Sequence, residues 1–317
     1  MNEFLRALRR ILPPINTETI SGGRIMNNLQ KLGGALSLFL IALFLLNCRS
    51  GATKSSDSGK PAILVVSFGT SYNDSRKKTI GAIEEAIAHA YPAYSVRRAF
   101  TSQIVIDHIY ERDGEKIDNV TEAMNRLVAD GVQDLIIQPT HLMNGIEEKE
   151  MLSQIQPFES KFRRIRYGKP VLSSDADYTA LLRILKDGTK EYDAPDTAIV
   201  FMGHGTEDGA NAAYARLADL FKAQGSSNYF IGTVEASPSL DDVIAQVRDA
   251  GFEKILLLPL MIVAGDHANN DMAGDEEDSW KSILTAEGFS VQTLLRGLGE
   301  YPAFQGHIVQ HVADAMQ

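Results

Sequence analysis

Met202-Gly203-His204-Gly205-Thr206 and Ala264-Gly265-Asp266-His267-Ala268 each set one histidine among small residues directly after an apolar run. Neutral imidazole ligates transition metals and, near neutral pH, accepts protons. A carboxylate, Glu235, is expected to end a third strand. Two imidazoles and one carboxylate suit cobalt, iron, nickel or zinc better than magnesium or calcium. His204, Glu235 and His267 are far apart in sequence and meet only if each ends a neighbouring strand.

The elements that must position them are readable. Thr197–Phe201 and Lys254–Val263 are too short and too apolar for amphipathic helices and read as strands buried on both faces. In an open α/β sheet, loops at the carboxyl ends of parallel strands line the ligand crevice. From Pro61 onward strand-like and helical patterns alternate: strands at 63–67, 95–100, 135–138 and 170–173, helices at 73–89, 104–110, 117–130, 147–158 and 178–192. The order then repeats. Phe68-Gly69-Thr70 answers His204-Gly205-Thr206, Phe100-Thr101-Ser102 answers Glu235-Ala236-Ser237, and Gly131–Pro139 answers Gly251–Pro259. The expected fold is α/β, with two similar doubly wound parallel-sheet lobes facing a cleft. The lobes span 61–194 and 195–317, with their boundary near Asp193–Asp196. Phe68 and Phe100 standing where the second half has His204 and Glu235 suggests an apolar wall opposite a polar one, suited to a flat aromatic ligand.

Other residues carry weaker signals. His141, after Pro139-Thr140, is balanced between the cleft and packing, while His89 and His108 read as surface residues of helices. His307 and His311, one helical turn apart, read as a solvated face rather than a metal site. The acidic run Asp271, Asp275, Glu276, Glu277 and Asp278 is either helix capping or a collector of cations. Neither phosphate-binding glycine pattern is present, which disfavours nucleotide chemistry. Ser67 and Ser71 flank a glycine loop but no Gly-x-Ser-x-Gly elbow, so serine hydrolysis is disfavoured.

The 317 residues are 44% hydrophobic and 23% charged, as in a soluble globular protein. A net charge of −10 argues against nucleic acid as the main partner. Gly33–Leu46 is an apolar stretch behind Arg24 and Lys31, too short for a bilayer span of about 20 residues, and it fits the core of a secretory signal. The expectation is a signal over 1–52, with Met26 an alternative start, cleavage after Ala52 and a linker over 53–60. Ordinary cleavage is preferred to lipidation at Cys48, which makes the expected location periplasmic.

Three stretches, Met202–Tyr214, Gly232–Ser239 and Pro259–Asp275, resemble the ATP-independent cobalt chelatases that insert metal into sirohydrochlorin. The resemblance covers Lys60–Gln317 and implies a ferrochelatase-like fold. It further implies that His204, Glu235 and His267 bind the metal or receive pyrrole protons, that Co2+ is the substrate metal with Fe2+ as second choice, and that no nucleotide takes part. Bound haem and a homo-oligomer stay open. An acidic tetrapyrrole needs donors for its carboxylates, and Arg97, Arg98, Arg163, Arg164 and Arg166 are available. An export signal is a departure from cytoplasmic cobalamin synthesis. It admits a rival reading, an exported protein that binds haem, a tetrapyrrole or a metal for uptake.

Overall fold

The computed structural model describes residues 59–317. The expected signal segment, its cleavage site and Cys48 lie outside the described residues, and so does most of the linker. Among the described residues no helix is long and apolar enough to cross a membrane.

In chain order the elements are β1 (Ala62–Ser67), α1 (Ala82–Ala90), β2 (Ser95–Phe100), α2 (Gln103–Asp113), α3 (Val120–Ala129), β3 (Asp134–Pro139), α4 (Ile146–Ile155), β4 (Arg164–Tyr167) and α5 (Asp175–Thr189). There follow β5 (Thr197–Gly203), α6 (Ala212–Ala223), β6 (Tyr229–Thr233), α7 (Leu240–Asp249), β7 (Lys254–Pro259), α8 (Trp280–Ala286), β8 (Ser290–Thr293) and α9 (Pro302–Met316). They form two four-stranded, wholly parallel sheets of orders β2-β1-β3-β4 and β6-β5-β7-β8. In each, the order reverses beside the first strand, so the carboxyl ends of β1 and β3, and of β5 and β7, flank a topological switch point.

Apolar residues on both faces of β1, β5 and β7 demand cover on both faces. One face of the first sheet packs under α3 and α4, and one face of the second under α7 and α8. The remaining faces share a core in which Ile63 and Val65 of β1 join Ile199 and Phe201 of β5 through Leu181 and Leu185 of α5 and Phe304, Ile308 and Val312 of α9. The helices therefore cross the segment Asp193–Asp196 that separates the sheets: α9 returns to α1, β3 and β4, and α5 packs on α6.

Three expectations need correction. The last strand of the first sheet is Arg164–Tyr167, not 170–173. Pro170 has no N–H for a ladder, and Val171 and Leu172 instead donate to the carbonyls of His141 and Leu142 in the loop after β3. The true strand was hidden because it is a short edge strand of sequence Arg-Ile-Arg-Tyr with no continuous apolar run.

The equivalence of Phe100 with Glu235 is off by two residues. Ser102 N–H donates to the Phe68 carbonyl as Glu235 N–H donates to that of His204, so Ser102 occupies the position of Glu235. Ser102 caps α2 directly, whereas the second lobe inserts four residues before Leu240 opens α7. Phe100 is fully buried beneath Gly69 with Ile80, Ile106, Ile109 and Ile117, so only Phe68 is exposed.

His307 and His311 do not form a solvated face. Because α9 packs back onto the first lobe, His311 is buried and the His307 side chain is only 12% exposed.

Candidate metal centre

His204 follows the last residue of β5, and the next residue turns the chain sharply. Gly205 has φ +89, and a Cβ there would stand 2.9 Å from Ala236 and Thr233, so no larger residue fits. Gly69 repeats this left-handed turn at the end of β1, with φ +104. The Gly205 N–H donates to the Tyr214 hydroxyl at 3.3 Å. Asn211 ties the His204 loop to the Glu235 loop, accepting from Thr206 N–H at 3.1 Å and donating to the Ser237 carbonyl at 2.6 Å. In the loop after β7, Asn269 donates to the carbonyls of Ala264 and Gly265 and braces the turn that delivers His267.

The three loops bring His204, Glu235 and His267 together, with one potential ligand atom from each within 4.8 Å of the others. Nδ1 of His204 is 3.6 Å from the Glu235 carboxylate and 2.9 Å from the Gly205 carbonyl. Nδ1 of His267 is 2.5 Å from Oδ2 of Asp271, four residues on. That contact gives the first member of the acidic run a specific partner, while Asp275 pairs with Lys281. All three side chains of the trio are partly open, so an incoming ion and a second ligand can reach them.

Glu147, in the first turn of α4, comes from the opposite lobe. Its carboxyl is pushed above the usual carboxylate range by the protein around it, an effect opposed by the nearby charge of His204. Glu147 is not legible as a site residue in the sequence, because its neighbour His204 lies in the other half. The available signal was its place just after Asn144-Gly145 in the loop that follows β3, the first-lobe equivalent of the loop after β7 that bears His267.

The remaining histidines do not join. His141 is buried, neither ring nitrogen has a hydrogen-bond partner, and burial lowers its pKa to about 4. Its Nε2 stands 3.9 Å from the Glu147 carboxylate, so it packs beneath that residue and not among the trio. His89 and His108 are exposed on α1 and α2.

A cleft of about 560 Å³ opens between the lobes, lined by Tyr72, Lys78 and Arg112 on one side and Ala264, Asn269 and Leu295 on the other; Ala264 and Asn269 belong to the loop that carries His267, but no member of the trio lines it. The lobes touch around it: the Tyr72 hydroxyl meets Asp266 at 3.5 Å, and Lys149 pairs with Asp208 at 2.8 Å. The five arginines offered as carboxylate donors are not at this cleft. Arg97 pairs with Asp130, Arg98 with Glu84, and Arg163 and Arg164 with Asp134. Arg164 and Arg166 line a small pocket with Pro61 and Tyr94 at the amino ends of the first sheet's strands. Among the described residues lining the cleft the cations are Lys78 and Arg112, the latter already paired with Asp113 at 2.7 Å.

The comparisons agree with this architecture. The family model described as "Cobalt chelatase (CbiK)" matches residues 61–317. A sirohydrochlorin cobaltochelatase of Salmonella typhimurium is 42% identical over 257 residues, covering 81% of this chain and 97% of the relative. The sirohydrochlorin cobaltochelatase CbiKC of Nitratidesulfovibrio vulgaris is 31% identical, covering 81% and 91%. Among solved structures, SirB from Bacillus subtilis with Fe3+ superposes with a TM-score of 0.57 at 17% identity, over 81% of this chain and 95% of that one, a likeness of fold. With the family match running from Pro61 to the last residue, the chain belongs to the cobalt chelatase family.

Proposed function

We propose that this protein inserts Co2+ into sirohydrochlorin without a nucleotide. The observation that carries the reading is the convergence of His204, Glu235 and His267, all partly exposed, in the loops after three adjacent parallel strands. Insertion exchanges the water shell of the ion for four ring nitrogens and releases two pyrrole protons. The trio supplies what both halves of that exchange need. Two imidazoles and a carboxylate hold a dehydrating cobalt ion, and the same donor set admits Fe2+ as a second metal. Bases near the ring accept the protons; Glu147, its proton affinity raised, faces His204 from the other lobe. Lys78 and Arg112 hold acidic substituents of the macrocycle, and exposed Phe68 offers an apolar surface to its face.

Fixing both reactants between two lobes converts their encounter into an effectively unimolecular step, so binding geometry rather than hydrolysis of a nucleotide drives insertion. The apolar segment Gly33–Leu46 behind Lys31 supports export and a periplasmic site of action; N-terminal sequencing of the native protein from fractionated cells tests it.

The experiment for the activity is turnover. Protein mixed with a large excess of sirohydrochlorin and Co2+ is expected to form many equivalents of cobalt-sirohydrochlorin per chain. Product that stops at one equivalent contradicts an enzyme and favours a binding protein.

A further inference from the structure

His307 and His311 lie on one face of α9, and that face meets Asp177 in the first turn of α5. Oδ1 of Asp177 is 3.1 Å from Nε2 of His311 and 3.3 Å from Nε2 of His307, and the two Nε2 atoms are 3.2 Å apart. Three potential ligand atoms therefore form a nearly equilateral triangle in a largely buried place.

The surrounding hydrogen bonds say what those atoms are. Nδ1 of His311 is 3.0 Å from the Lys169 carbonyl, which only an N–H can satisfy, so Nε2 of the neutral ring carries a lone pair. Oδ2 of Asp177 accepts from Ser173 N–H at 3.1 Å and the Ser174 hydroxyl at 2.7 Å, leaving Oδ1 free for the centre of the triangle. Second hydrogen bonds that fix ring and carboxylate orientation are what metal ligands ordinarily receive. Lone pairs crowded on one point repel unless a cation or a proton sits among them. Metal bonds of about 2.0–2.1 Å in tetrahedral geometry place ligand atoms roughly 3.3 Å apart, close to all three edges of the triangle.

We propose that Asp177, His307 and His311 form a second metal site, for a zinc-like divalent ion, that pins the C-terminal helix to the start of α5. None of its ligands belongs to the insertion site. It joins positions 130 or more residues apart, and the helix it anchors fills the core shared by both lobes. An ion bound there stabilises the folded chain by linkage.

The test uses the full chain with Zn2+ as the probe, after His204→Ala and His267→Ala silence the exposed centre. That variant, equilibrated with Zn2+ and freed of excess, is expected to retain about one equivalent by mass spectrometry and to melt at a higher temperature than its metal-free form. Adding Asp177→Asn or His307→Gln should weaken retention at least tenfold. Asparagine keeps an oxygen for Ser173 and Ser174, so Asp177→Asn decides the matter if His307→Gln does not fold. A folded His204→Ala/His267→Ala protein that retains no Zn2+ overturns the proposal, because the cluster is then held by protons alone. Retention unchanged by the further substitutions overturns it equally, by placing the ion elsewhere.

Discussion

His204 and His267 stand with ring centroids 4.7 Å apart and planes at 86°, edge to face, although 63 positions separate them in the chain. Their meeting follows from strand order: β5 and β7 are hydrogen-bonded neighbours, with Met202 opposite Pro259, and each histidine leaves from the carboxyl end of its strand. The arrangement makes the hydrogen bond behind each ring a determinant of function.

For His267 that partner is Asp271. A carboxylate on the second ring nitrogen fixes the tautomer and increases the donor strength of the other nitrogen. Asp271→Asn is expected to weaken Co2+ binding by about 10- to 100-fold while leaving the KM for sirohydrochlorin nearly unchanged. Separate titrations of the two substrates in steady-state assays check this.

Glu147 is assigned proton acceptance rather than metal holding. Glu147→Gln is expected to lower kcat by about a hundredfold or more, the usual scale for losing an acid or base, with Co2+ affinity retained. Equal losses in kcat and in Co2+ affinity would place Glu147 among the ligands instead.

The macrocycle is held by different side chains. Phe68→Ala removes an exposed apolar surface, and the KM for sirohydrochlorin is expected to rise roughly tenfold at unchanged thermal stability. Replacing Arg112 and Lys78 by alanine should raise the same KM, more steeply at low ionic strength than at high. A KM that is flat across both sets of variants would move the tetrapyrrole to another part of the cleft.

His141 gives a pH dependence of stability. Its pKa in the folded protein, about 4, lies below the ordinary value near 6.5, so the unfolded chain binds more protons between these limits. Stability is therefore complete above about pH 6.5 and declines as pH falls toward 4, by an amount on the order of 3 kcal/mol from this residue. Urea unfolding of the wild type and of His141→Met at pH 7 and pH 5 measures it. The difference between the two pH values should shrink in the variant.

What could be read from the sequence followed local patterning. The runs that became β1, β5 and β7 are apolar on both faces, and the glycines after two of them marked turns, so both sheets and the loops bearing His204, Glu235 and His267 were legible. Contacts made across the fold were not. His307 and His311 read as solvated because nothing near them in sequence shows that α9 recrosses to the first lobe, where Phe304, Ile308 and Val312 enter the shared core. Arg163 and Arg164 read as free donors because their partner, Asp134, sits on β3 about thirty positions earlier. Ser102 was passed over as the counterpart of Glu235 because a four-residue insertion before α7 disguises the register that backbone hydrogen bonds reveal.

The central claim is that His204, Glu235 and His267 act together on the metal during insertion. The most direct measurement is the rate of cobalt-sirohydrochlorin formation by His204→Ala, His267→Ala and Glu235→Gln, each compared with wild type and checked for folding by circular dichroism. Partly exposed side chains at loop positions leave the core untouched, so folded variants are expected. Kcat/KM should fall by at least about a hundredfold for each histidine and less for the glutamine, with the double histidine variant little worse than either single one, as groups acting as a unit require. Folded histidine variants that insert cobalt at near wild-type rates would contradict the account.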